Sequence, residues 1–179
     1  MSTDAASRPS RSPTLARSIV ALVAFLVIAS AVAALGATTT IREVDGWYAG
    51  AARASWSPPN AVFGPVWTVL YALMSIAAWL IWRSTPADPR RRRTALGLYV
   101  GQLVLNALWT PVFFGLYPAV GAAGWWIALA IIVALDVLVL ITTIRFWAVR
   151  RIAAVLLIPY GAWVLYATTL NAAVIVLNR

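Results

Sequence analysis

The stretch SWSPPNAVFGPVWTVLYALM, residues 55–74, decides how the chain is read. It opens on two adjacent prolines, Pro58 and Pro59, which fix their own φ angles and donate no backbone hydrogen bond. Asn60 follows as an expected helix N-cap. Pro65 falls in the first turns of the helix that this cap predicts, where its cost is low. Phe63, Trp67, Leu70 and Met74 then recur at helical spacing. From residue 61 to residue 82 the chain is almost wholly apolar, longer than the roughly 20 residues a helix needs to cross the hydrocarbon core. A rigid, aromatic lead-in therefore feeds a membrane span.

Four further runs of the same kind lie outward from it, at about residues 15–41, 94–117, 120–144 and 152–178. Of the 179 residues 63% are hydrophobic and 11% charged, too little polar surface for a soluble domain of this size. Strand-length alternation is absent, so helices that satisfy their own backbone groups are expected rather than a barrel. The predicted fold is an all-α integral membrane protein, a bundle of five transmembrane helices spanning residues 15–179. Residues 1–14, rich in Ser, Pro and Arg, are expected to form a disordered N-terminal tail. The first apolar run, followed by AALGA, also fits a cleaved signal peptide. Its length, residues 19–37, exceeds the usual core of roughly 7–15 residues, which favours a retained span.

The net charge of +9 is carried by arginine. With five spans, the N-terminal segment and the second and fourth connections share one side, holding eleven arginines against three on the other. Positive charge stays cytoplasmic, so the N-terminus is placed inside and the proline–tryptophan loop and C-terminus outside, in a bacterial plasma membrane. Nucleic-acid binding is not indicated. The chain has no cysteine and no histidine, which removes thiol chemistry, the commonest metal ligand and the commonest general base.

The third span carries Gln102 and Asn106, four apart, with Trp109 three further on, so the three share a face. Intramembrane amides are costly unless they face protein or a cavity. Gly97 and Gly101 form a G-x-x-x-G on another face, a spacing that suits close helix packing and a dimer interface. Asp136 is the only acid within a span, at the depth of Gln102. A hydrogen bond between the two is the expectation here, ahead of a proton relay. In the fifth span Pro159, Tyr160, Trp163, Tyr166, Ala167, Thr168, Thr169 and Asn171 read as a cavity wall. Most of the ten tryptophans, including Trp79, Trp125 and Trp126, read as interfacial anchors, whereas Trp67, Trp109 and Trp163 lie deeper or beside polar neighbours. An aromatic lining with a few amides and hydroxyls suits a large, flat, mostly apolar ligand. Were that ligand a haem, stacking and shape would have to hold it without His or Cys ligation.

WSPPNAVFGPVWTVLYALM, LGLYVGQLVLNALWTPVFF and IPYGAWVLYATTLN, in this order, resemble the TspO family, the tryptophan-rich sensory proteins. Mitochondrial members are called translocator protein or peripheral-type benzodiazepine receptor. The resemblance runs from about residue 19 to residue 178. It implies a homodimer of five-helix bundles, each with a pocket under the first loop that takes protoporphyrin IX, haem or other tetrapyrroles. It places Trp47 and Trp56 in the lid loop, with Pro58, Pro59 and Trp67 following; these five, and Gln102 of the third span, are expected ligand contacts. It places Asn106, Trp109, Trp163 and Ala167 at the pocket, and gives Trp67 and Trp163 a part in porphyrin photochemistry. The sterol-recognition pattern of some members needs a tyrosine that LNAAVIVLNR lacks.

Three functions are compatible with this reading. One is a receptor for tetrapyrroles, acting as sensor or transporter with no required cofactor. Another is a light- and oxygen-dependent porphyrin-degrading enzyme. The last is a structural or interaction dimer.

Overall fold

A computed structural model describes residues 14–178. The expected tail lies outside the described residues except for Thr14, whose carbonyl accepts the first helical hydrogen bond, from Ser18. Among the described residues, five helices are long and apolar enough to cross a membrane: α1 (Leu15–Val44), α2 (Asn60–Arg83), α3 (Pro89–Thr110), α4 (Ala122–Trp147) and α5 (Arg151–Leu177). The chain is an all-α integral membrane protein. Two single helical turns, Trp47–Gly50 and Tyr117–Val120, lie at the end opposite the arginine-rich connections.

Each boundary has a local cause. Asp88 caps α3, its carboxylate accepting from the Arg90 N–H at 2.9 Å, with Pro89 at the first helical position. Asn60 does not cap α2, contrary to the sequence reading. It is the first helical residue, Pro59 takes the cap position, and the Asn60 side chain accepts from Arg53 instead. α3 ends at Pro111, which has no N–H to continue the ladder, and the chain widens into a π turn over Pro111–Gly115. Gly121, at φ +63°, makes the turn into α4 in a conformation that a side chain would strain.

In lipid the helices gain little from hiding apolar surface, so close packing and interhelical hydrogen bonds hold them together. Ala77, Ala78, Ala95, Ala128, Ala153 and Ala154 are all fully buried, letting backbones approach. α1 packs on two different partners along its length. Its arginine-side half is bonded to α2, where Trp79 Nε1 donates to the Ser18 carbonyl at 2.8 Å and Ser75 Oγ to the Phe25 carbonyl at 3.2 Å. Its other half lies against the end of α3. A Cβ on Gly36 would stand 3.4 Å from Thr110, and one on Gly115 would stand 3.3 Å from Thr39. The space that opens between α1, α2, α3 and α5 at the lid end holds the pocket.

Trp125 departs from the anchor reading. It is 2% exposed and stacks on Tyr117 at 4.3 Å with the rings nearly parallel. Trp126 and Trp147 are about half exposed on the apolar outer surface, as anchors are. The expected Asp136–Gln102 bond is not formed. Asp136 accepts from Thr168 of α5 at 2.7 Å, and the Gln102 amide is fully buried without a hydrogen-bond partner among the described residues. The reason is rotational: Gly101 of α3 meets α4 at Leu138, and Gln102, about 100° further round the helix, is turned into the core.

Candidate ligand-binding pocket

The pocket has a volume of about 590 Å³, within the range typical of small-molecule sites. Helical periodicity builds each wall. α1 presents small side chains one turn apart, Ala33, Gly36, Ala37 and Thr40. α2 presents Phe63, Gly64, Trp67 and Tyr71. α3 and its π turn add Trp109, Phe113 and Phe114, and α5 adds Trp163, Ala167, Leu170 and Asn171. One wall is therefore shallow and smooth, while the others carry rings.

The rings are held in place by one another and by buried amides. Trp67 lies 5.3 Å from Tyr71 and 6.3 Å from Tyr160, centroid to centroid. Trp109 stacks on Phe113 at 5.5 Å, and its Nε1 donates to Asn171 Oδ1 at 3.2 Å. Asn171 Nδ2 in turn donates to the Trp125 carbonyl. Beneath the pocket the Tyr71 hydroxyl donates to Asn106 Oδ1 at 2.6 Å, and Asn106 Nδ2 donates to the Tyr160 hydroxyl at 3.1 Å. This cross-brace ties α2, α3 and α5 at one depth. A satisfied polar network in a low-dielectric interior rigidifies the side chains it joins.

The lid is latched at several points. Trp47 Nε1 donates to the Phe114 carbonyl at 3.0 Å, an acceptor in the π turn. Trp47 also packs on Tyr117, Trp125 and Tyr48, with centroids 4.3, 5.4 and 5.5 Å away. The Tyr166 hydroxyl donates to the Trp56 carbonyl at 2.7 Å. Asn178 bonds both the N–H and the carbonyl of Ala52, each at 2.9 Å. Burial pushes the Tyr48 phenol above its ordinary pKa, and nearby Arg53 partly offsets that.

Trp67, Trp109, Trp163 and Ala167 thus converge on one pocket. The other expected ligand residues are placed elsewhere. Gln102 and Asn106 are buried under the pocket rather than in its wall. Trp47 is in the latch, Trp56 is 56% exposed on the lid, and Pro58 and Pro59 line a separate, shallow depression in the lid. Gly101 packs on Leu138 within the chain, whereas a Cβ on Gly97 would meet nothing within 4 Å. Sequence reasoning missed the α1 wall, the π-turn phenylalanines and Tyr48. The repeat of small residues at 33, 36/37 and 40 was the available signal for the first of these.

Among the described residues, five spanning helices enclose a lidded, aromatic-lined pocket, the architecture of a helical membrane protein with an internal cavity. The profile of the TspO/MBR family matches residues 22–177, and the chain belongs to that family. It is 40% identical to the translocator protein of Homo sapiens over 141 residues, covering 76% of this chain and 80% of that protein. It is 36% identical to the tryptophan-rich protein TspO of Archaeoglobus fulgidus, covering 89% and 98%. To the tryptophan-rich sensory protein of Cereibacter sphaeroides it is also 36% identical, covering 86% and 90%.

Proposed function

We propose that the pocket binds porphyrins and related tetrapyrroles, with protoporphyrin IX the representative ligand, and that the protein acts as a sensor or carrier for them. The observation that carries this reading is the convergence of Trp67, Trp109 and Trp163 from three helices on one cavity of about 590 Å³. Flat faces on several sides suit a flat macrocycle, because offset stacking is favourable beyond the area it buries. The chain holds no histidine or cysteine to ligate a metal, so the metal-free ring is the better fit and haem the weaker one. The reading extends to a homodimer in a bacterial plasma membrane, with the arginine-rich connections cytoplasmic.

The test is a protoporphyrin titration of the purified protein in the dark, followed by illumination. Saturable binding beyond that of empty micelles is expected. Trp67→Phe should weaken it more than Trp82→Phe, because Trp67 lines the pocket and Trp82 does not. Equal affinities would remove Trp67 from the site, and no binding beyond micelles would overturn the ligand class. Loss of porphyrin in light that depends on the protein and slows in Trp67→Phe and Trp163→Phe would convert the receptor reading into the degrading-enzyme reading.

A further inference from the structure

We propose that Arg53 is a specificity residue at the mouth of the pocket that recognises a carboxylate, so that the preferred ligand is an amphipathic anion with a flat apolar body. This rests on the pocket being a ligand site and deepens that reading. Two wall residues hold the guanidinium at the mouth. Arg53 Nη1 donates to Asn60 Oδ1 at 3.3 Å, and the guanidinium carbon stands 5.7 Å from the centroid of the Tyr48 ring. Both Asn60 and Tyr48 line the pocket, and Arg53 also lines the depression beside it.

The chemistry favours an anion over the present partner. A guanidinium has five donors, and the neutral Asn60 oxygen takes one of them at a long distance. A carboxylate would accept two parallel, charge-assisted bonds from the same fork. The pocket interior is apolar and aromatic, so an acidic group on a ligand is expelled towards the mouth. Asp45 also lines the pocket and is like-charged with a carboxylate, so it offers that group no partner. The arginines of the opposite connections are out of reach, because the 24 residues of α2 span about 36 Å at 1.5 Å per residue.

The experiment compares protoporphyrin IX with its dimethyl ester on the wild type, Arg53→Gln and Arg53→Lys, in one detergent. The quantity read is the acid-to-ester affinity ratio of each variant relative to wild type, from which micelle partitioning cancels. Arg53→Gln should lower that ratio about fivefold, the scale of an exposed charge pair, and leave the ester's affinity unchanged. Arg53→Lys should lie between, since it keeps the charge but loses the fork. An unchanged ratio overturns the proposal. So does an equal loss for acid and ester, which would mean that Arg53 only props Asn60 and Tyr48. If neither porphyrin binds, the tetrapyrrole reading fails, and pyrenebutyric acid against its methyl ester tests Arg53 separately. An acid preference that Arg53→Gln abolishes sustains the proposal, and no such preference overturns it.

Discussion

Asn106 shows how a residue's type and its role come apart. An amide inside a span reads as a ligand contact because it needs a partner in a low-dielectric setting. Here its partners are the hydroxyls of Tyr71 and Tyr160, one on each neighbouring helix. Its carbonyl and its amino group are both engaged by protein. Asn171 behaves in the same way, joining Trp109 to the Trp125 carbonyl. The polar residues beneath and beside the pocket therefore orient its rings, and the rings line much of its wall. Asn106→Leu keeps the volume but strands two buried hydroxyls. It should destabilise the detergent-solubilised protein by about 1–2 kcal/mol, the scale of an intramembrane hydrogen bond. Thermal unfolding followed by circular dichroism checks this, and an unchanged midpoint would mean that the hydroxyls find other partners.

At the scale of elements, α1 and α3 do more than cross the membrane. α1 leans on α2 at one end and on α3 at the other, and this divergence gives the pocket its room. α3 ends in a π turn because Pro111 interrupts the helical ladder. The turn places Phe113 and Phe114 at the pocket and offers the Phe114 carbonyl to the Trp47 latch. The two glycines of the G-x-x-x-G separate in the same way. Gly101 is used within the chain, with a Cβ there only 3.2 Å from Leu138. Gly97 faces open space, so it tests dimerisation without disturbing the protomer. Gly97→Leu should leave the protomer's melting temperature unaltered and shift light-scattering mass from dimer to monomer. A dimer that persists in that variant would put the interface on another face.

The whole molecule is polarised. The lid, the turn into α4 and the Asn178–Ala52 tie lie at one end, and the arginine-rich connections at the other. Basic residues are retained on the cytoplasmic side, so the lid should face outward. The chain has no native cysteine, which makes single-cysteine labelling clean. In intact cells an impermeant maleimide should reach Ser55→Cys on the lid and spare Thr85→Cys between α2 and α3. Labelling of Thr85→Cys alone would invert the topology.

Much of this was legible in the linear chain. The five spans follow from apolar length, and the resemblance to a known family follows from three motif blocks of fixed order. Trp67, Trp109 and Trp163 stood out in the chain by their depth or their polar neighbours, and the family resemblance placed them and Ala167 at the pocket whose wall they line. Spacing does not determine how far each helix is rotated or where it crosses its neighbours. Those are set by side-chain fit between segments distant in sequence, such as Gly101 against Leu138 and Gly36 against Thr110. Rotation turned Asp136 to Thr168 and Gln102 into the core, and it spent Asn106 on two tyrosines. Crossing moved Trp47 from pocket to latch and brought α1 and Arg53 to the mouth. The sequence by itself determined the membrane, the five helices and the aromatic character of the site. Only the tertiary structure decided which polar groups hold the site and which remain to meet a ligand, because a helix's own residues set its inward face but not its partners.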